Sequence, residues 1–274
     1  MIIEPFCRAD IPSFLRLAGE EQWIAEPWEF DFLLTSFPEG CFCVRDQEGN
    51  GIAFVTSLLH ERSGWIGNLI VAEQFRGHGI GEALFRNSLD ALITTGAETF
   101  WLTASKQGKS LYEKHGFSRI DTIVRWSGNV RKRNGADATK EGAEKVPASV
   151  NCVDYLAWGD RRDALLAVIA DHGRILFQES GFMVVQPYGD ARQFGPFSAL
   201  DIGTAEHLFE TALGLVPYGT KMYLDAPVSN RAALRLFNHR RMRITGTTEL
   251  MYAGKRPDYR PEMLYGLATM GSCG

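Results

Sequence analysis

The residues whose types and spacing could do chemistry lie in the run Gln74-Phe75-Arg76-Gly77-His78-Gly79-Ile80-Gly81. Glycine adopts backbone conformations that side chains forbid, so closely spaced glycines let several N–H groups point at one anion. Before the run, Ile66, Leu69, Ile70 and Val71 read as a mostly apolar strand; after it, Ile80, Ala83, Leu84, Phe85, Leu89, Ala91 and Leu92 form a helical face. The glycines therefore sit at a strand-to-helix turn, where the partial positive charge of the helix N-terminus adds to the attraction. This is a cradle for a pyrophosphate. Two familiar nucleotide loops are excluded by residue type: the glycines do not follow Gly-x-Gly-x-x-Gly, and no Lys followed by Ser or Thr is present, Glu82 following Gly81 instead.

What remains, Arg76-x-x-Gly79-x-Gly81, resembles the Arg/Gln-x-x-Gly-x-Gly/Ala signature of the GNAT superfamily of N-acetyltransferases. Downstream, Leu111-Tyr112-Glu113-Lys114-His115-Gly116-Phe117 is similar to the Leu-Tyr-x-x-x-Gly-Phe segment that such proteins carry after their fifth strand. The resemblance implies acetyl-coenzyme A as cosubstrate, held between two splayed parallel strands, here one ending near Val71 and one over 99–103. It places Arg76, Gly77, His78, Gly79, Ile80 and Gly81 at the pyrophosphate, and Ile70 and Val71 where a backbone N–H meets the thioester carbonyl. Tyr112 becomes the acid that protonates the departing thiolate. A phenol of reference pKa about 10 can do so for a thiol near 8.5 with local help. Ser105 also falls at the cofactor, where many family members have Asn. No single base emerges: Glu26, Glu29, Glu61 and Glu73 are all conceivable.

The elements that must position these groups can be read around them. Asp10 and Pro12 begin a helix carrying Phe14, Leu15 and Leu17, and a second helix covers 30–35. Between them, 20–29 holds Trp23, Glu26 and Trp28, carboxylates beside aromatic faces that suit a cationic amine. By the resemblance, with Asn68 this is the acceptor wall. Strands at 41–45 and 52–59 flank a turn over 46–51, and His60 to Gly64 reads as a solvated turn into the strand ending at Val71.

From Val130 to about Pro147 the chain turns polar and mixed in charge, reading as a connector. Beyond it, 161–170 and a face of Ala205, Leu208, Phe209, Ala212 and Leu213 read as helices, and 175–177 and 182–186 as strands. Asn230-Arg231-Ala232-Ala233-Leu234-Arg235-Leu236-Phe237 resembles the helix of the Tyr112 motif, with Phe237 in the tyrosine's place. No glycine cradle precedes it. The fold class expected is α/β (α+β): two tandem GNAT folds, each a mixed, mostly antiparallel sheet flanked by helices. A catalytic domain spans 1–129, a connector 130–148, and a degenerate copy 149–274 shapes the acceptor site without binding a cofactor of its own.

Composition sets the remaining bounds. The chain has 274 residues, 45% hydrophobic and 23% charged, with net charge −4. That describes a globular protein with no electrostatic case for nucleic acid or a membrane surface. The five cysteines are dispersed, and Cys41-x-Cys43 places two on one strand face, which points to packing rather than to a metal site. No stretch reads as a signal peptide or membrane helix, so a cytoplasmic enzyme acting on a small-molecule amine is expected. The alternatives are an acyl-coenzyme A sensor without turnover, or an acetyltransferase with a protein acceptor.

Overall fold

The computed structural model describes residues 2–131, 140–141, 146–269 and 271–274. The first half runs β1 (Ile3–Pro5), α1 (Ile11–Glu20), α2 (Pro27–Ser36), β2 (Phe42–Arg45), β3 (Gly51–Leu59), β4 (Ser63–Val71), α3 (Ile80–Thr94), β5 (Thr99–Ala104), α4 (Lys109–Lys114) and β6 (Ser118–Asn129). After β7 (Lys140–Glu141) come α5 (Ala148–Trp158), α6 (Asp163–His172), β8 (Arg174–Gln178), β9 (Gly181–Tyr188), β10 (Ala191–Ala199), α7 (Ile202–Leu215), β11 (Lys221–Pro227), α8 (Arg231–His239), β12 (Arg243–Gly254) and β13 (Leu264–Gly266). Most of the expected connector, 132–139 and 142–145, lies outside the described residues, while Lys140 and Glu141 pair with β8.

All strands join one mixed, mostly antiparallel sheet in the order β1-β2-β3-β4-β5-β12-β6-β11-β10-β9-β8-β7, with β13 on β10. The centre of that order is an exchange. Strand β12, from the second half, lies between β5 and β6 of the first, pairing Leu250 with Thr103 on one side and Thr247 with Val124 on the other. Reciprocally, β6 pairs along its length with β11, Trp126 against Leu224. Side chains follow the strands. Leu250 and Met251 are buried in a core with Phe85, Trp101 and Phe117, whereas Val124, Trp126 and Val130 are buried with Leu224 and Phe237.

The β4–β5 pair opens along its length. Parallel pairing covers Ser63 with Thr99, Gly64 with Phe100 and Trp65 with Trp101, and then stops, so the strands diverge beyond Trp65. On its other edge β4 carries one extra residue between the pairs Thr56–Gly67 and Phe54–Ile70, a β-bulge at which Asn68 takes φ 55°. Strands β10 and β11 repeat the parallel pairing at Arg192–Met222 and Gln193–Tyr223. Here the divergence is filled: β13 pairs with β10 at Phe197–Gly266 and Ser198–Leu264, and the Leu267 N–H donates to Asp225 O at 2.8 Å.

One expectation needs correction. The turn at His60–Gly64 is solvated only in part: Glu61 and Arg62 are exposed, but the loop is also a seam between the halves, where the Asp160 carboxylate accepts from the N–H groups of Arg62 and Ser63 and, at 2.6 Å, from Ser63 Oγ. Burial, and then the Arg162 guanidinium, push His60 down to about 3, so it is neutral. Among the described residues no helix is long and apolar enough to cross a membrane.

A chain stopped after Asn129 would lose β12 from between β5 and β6, leaving β5 with an open edge and removing Leu250 and Met251 from the core. Each such side chain contributes about 2 kcal/mol or more. The expected outcome is an aggregating or unfolded fragment. A cooperative thermal transition for that fragment, followed by circular dichroism, would refute the exchange as a folding requirement.

Candidate active site

The cradle forms as its residue types require. After β4 a tight turn at Glu73–Phe75 leads to Gly77 (φ 79°) and Gly79 (φ 78°), left-handed conformations that glycine adopts without a Cβ clash, and α3 starts at Ile80. Between Gly77 and Glu82 no backbone N–H donates to an acceptor among the described residues; the first helical bond is Ala83 N–H to Gly79 O. A Cβ built on Gly77 or Gly79 would meet nothing within 4 Å, so the loop faces open space. This is a cluster of unpaired donors at a helix N-terminus, and it fits a pyrophosphate. The Arg76 side chain turns back instead: Nε donates to Val71 O at 2.8 Å and the guanidinium pairs with Glu21. His78 Nδ1 lies 3.3 Å from Phe75 O, and the buried Ile80 side chain anchors the first turn of α3.

Register decides which amides reach the opening. Ala72 N–H donates to Ile52 O, so by antiparallel alternation Ile70 is bonded to Phe54. The N–H groups of Leu69 and Val71 face the other way, towards the divergence from β5, and Leu69 lines the cavity there. Tyr112, on α4, is buried, with its ring edge-on to Phe85 at 5.1 Å between centroids. Burial pushes its phenol up to about 12, so it stays protonated through the neutral range. Ser105 Oγ accepts the Gly108 N–H at 3.2 Å at the start of α4 and lines the same cavity.

That cavity, about 250 Å³, brings Asn68, Leu69, Ser105 and Tyr112 together with Trp23 and Glu29 from the acceptor wall. Trp23 is half exposed at its mouth. Glu26 and Trp28 do not line it. Glu26 Oε1 accepts the Gly189 N–H at 2.7 Å, and Trp28 stacks on His172 at 4.6 Å, so both clamp α2 to the second half. Of the four conceivable bases only Glu29 lines the cavity; Glu61 and Glu73 are exposed elsewhere. Residues with no local signal complete the lining: Arg125, on the exchanged β6, and Tyr188, Thr248, Thr269 and Gly271 from the second half. A Cβ on Gly67 would lie 2.4 Å from the carbonyl oxygens of Gly271 and Ser272, so only glycine lets this tail cross β4.

The electrostatics of the cavity are uneven. Burial works against the charge of Arg125, but Asp225 outweighs it with a two-pronged pair at 2.8 and 2.7 Å, and Tyr188 Oη accepts from Nη1 at 2.8 Å. Among the described residues Glu29 has no such partner. Burial raises its carboxyl from 4.5 to about 7, against smaller opposing hydrogen bonds from Ser272 and the Glu26 N–H. Ser272 Oγ in turn accepts from Asn68 Nδ2, which also donates to Thr56 Oγ1, so a polar chain links the β4 bulge to Glu29.

Diverging parallel strands, a donor-rich loop before a helix and a buried tyrosine define an acyltransferase that uses a coenzyme A thioester. Comparison with known proteins agrees. Two family models, each described as Acetyltransferase (GNAT) domain, match residues 38–119 and 150–266. The chain belongs to the GNAT acetyltransferases, with two such domains in tandem and acetyl-coenzyme A as cosubstrate. A curated relative, a [ribosomal protein bS18]-alanine N-acetyltransferase of Haemophilus influenzae, is 29% identical over 107 residues, 37% of this chain and 72% of that one. Among solved structures, a Pyrococcus horikoshii protein assigned to the acetyltransferases superposes with TM-score 0.85 at 22% identity, covering 98% of this chain and 95% of its own. A GCN5-related N-acetyltransferase from Sphaerobacter thermophilus gives 0.62 at 17% identity, covering 97% and 98%. These structures share the fold.

Two outcomes test the site. Gly79→Ala should lower stability by about 1 kcal/mol through its positive φ and weaken acetyl-coenzyme A binding at least about tenfold. The same change at Gly49 (φ 86°), in the distant β2–β3 turn, should cost similar stability and leave affinity untouched, as calorimetry would record. For Glu29 the folded carboxyl lies above its unfolded value, so its contribution is fully present below about 4.5 and is lost as pH rises through about 7. Glu29→Gln should therefore gain on wild type above pH 7, by on the order of 3 kcal/mol, in melting curves taken across pH.

Proposed function

We propose that this acetyltransferase acts on the primary amine of a small molecule, with the first half, 1–129, carrying the chemistry and the second, 149–274, serving as a degenerate copy that closes the acceptor side. The observation that carries this reading is the cavity itself: at about 250 Å³ it has the size for a small amine, and Tyr188, Thr248, Thr269 and Gly271 of the second half line it together with Tyr112. Acetyl-coenzyme A supplies an activated carbonyl and a thiolate leaving group. The N–H groups of residues 77 to 82 hold its pyrophosphate, assisted by the partial positive charge at the N-terminus of α3. The Leu69 N–H, at the bulge, donates to the carbonyl oxygen as charge develops there. Tyr112, protonated and shielded, donates to the sulfur.

The second half lacks each of these parts. Its strand divergence is filled by β13, Phe237 stands in the tyrosine's place without a hydroxyl, and α7 is capped by Asp201 rather than entered from a glycine loop. Titration calorimetry should give one acetyl-coenzyme A per chain; two equivalent sites would refute the division of labour.

A protein acceptor is the second reading, favoured by the specificity of the Haemophilus relative. Thiol release from acetyl-coenzyme A, followed with small amines and with short peptides bearing free N-termini, separates the two. Small amines should be the better substrates, and Tyr112→Phe should lower kcat about a hundredfold with little change in cofactor affinity. Turnover restricted to peptides would overturn the small-molecule acceptor, and tight cofactor binding without any turnover would favour a sensor.

A further inference from the structure

We propose that Glu29 is the group that receives the acceptor ammonium and takes its proton, and that its uncompensated charge selects amines carrying no acid group beside the nitrogen. This rests on the reading of the chain as an amine acetyltransferase. Three observations carry it. Glu29 is buried yet lines the cavity shared with Leu69 and Tyr112. No Lys, Arg or His among the described residues pairs with it. Ser272 and the Glu26 N–H hold the carboxylate from its own side of the wall. A buried carboxylate without a counter-ion is costly unless a cation enters, and the cavity admits one.

The groups facing Glu29 leave that role open. On α2, Glu26 is engaged by Gly189, and on β6 the Arg125 charge is matched by Asp225. On β9, Tyr188 accepts from Arg125. In the C-terminal tail, burial and then the Glu29 charge push the Cys273 thiol up to about 12, so it is neutral. An acceptor carboxylate would meet Glu29 as a like charge and find the Arg125 fork already taken by Asp225.

The protons balance. An alkylammonium gives one proton to the Glu29 carboxylate and becomes a neutral amine. Its nitrogen bonds to the acetyl carbon as the carbon–sulfur bond breaks, and Tyr112 gives its proton to the sulfur. The acylated nitrogen returns a proton to the Tyr112 phenolate, leaving a neutral amide, and Glu29 releases its proton to solvent. The net products are the amide, free thiol and one proton.

A weakly basic amine arrives neutral and does not need Glu29. The test compares wild type, Glu29→Gln and Glu29→Asp on a strongly basic alkylamine, its α-carboxylated analogue and a weakly basic amine of similar size. In wild type kcat/KM for the alkylamine should rise with pH through about 7 and exceed that of the carboxylated analogue at least tenfold. Glu29→Gln should lose about a hundredfold with the alkylamine and less than about fivefold with the weakly basic amine, with acetyl-coenzyme A affinity unchanged. Glu29→Asp, which keeps a carboxylate, should recover part of the loss and the pH limb. Equal losses with both amines, or an unchanged pH profile in Glu29→Gln, overturn the assignment while leaving the acetyltransferase standing. A wild-type chain that turns over no amine overturns both.

Discussion

The seating of β12 between β5 and β6 is the constraint on which the rest of this molecule depends. Each half uses a strand of the other to close its sheet, so hydrogen bonds that would otherwise face water are made across the division of the chain, and each core is completed by side chains from the other half. The halves cannot rotate about a hinge without breaking ladder bonds. The cavity lined by both halves is therefore assembled on a rigid support, as a site needing sub-ångström placement requires. Asp160, bonded to the start of β4, fixes the same seam at the far end of the functional strand.

The two strand divergences show one fold put to different uses. In the first half pairing stops beyond Trp65 and Trp101, and the main chain beside it exposes the amides of Leu69 and Val71. In the second, the equivalent space beside Gln193 and Tyr223 holds β13, whose backbone satisfies the same edge. Satisfied backbone is the lower-energy state in the absence of ligand, so an open divergence is kept only where a ligand makes use of it. The chain continues from β13 past Asp225 to cross β4 at Gly67, and ends with Gly274 O accepting from Arg162, so the segment that fills one divergence also lines the cavity beside the other.

Charge in the cavity is arranged by burial more than by number. Arg125 is ionised but matched by Asp225, and Tyr188 and Tyr223 lie against its guanidinium at 5.3 and 5.4 Å. Glu29 is ionisable and, among the described residues, unmatched. A carboxylate held near neutrality is poised to exchange protons at working pH, whereas the elevated Tyr112 phenol remains a donor. Burial thus sets the two groups apart in how readily they part with a proton in the neutral range.

The cradle and the Tyr112 helix were legible in the sequence because both are local. Alternate glycines at a strand-to-helix junction dictate positive φ and free amides whatever lies around them, and a motif of seven residues sets the position of Tyr112 on its helix. Several elements were also legible to within a few residues, as with 30–35 inside Pro27–Ser36 and 182–186 inside Gly181–Tyr188. Helix α5 and strands β10 to β12 were not read, since what holds them is pairing and packing with partners distant in sequence; β12, with only Leu250 and Met251 buried, shows no alternating pattern of its own. The carboxylates on the wall looked alike: Glu26 and Glu29 share a segment and a residue type, yet one clamps the second half and the other enters the cavity. Residue identity and local spacing thus determined the family signature, a glycine loop at a strand-to-helix turn and the helix that carries Tyr112. Tertiary structure alone decided the strand exchange, the filled second divergence, the amides facing the opening, and the burial that raises Glu29, because register and desolvation are properties of neighbours that no local pattern records.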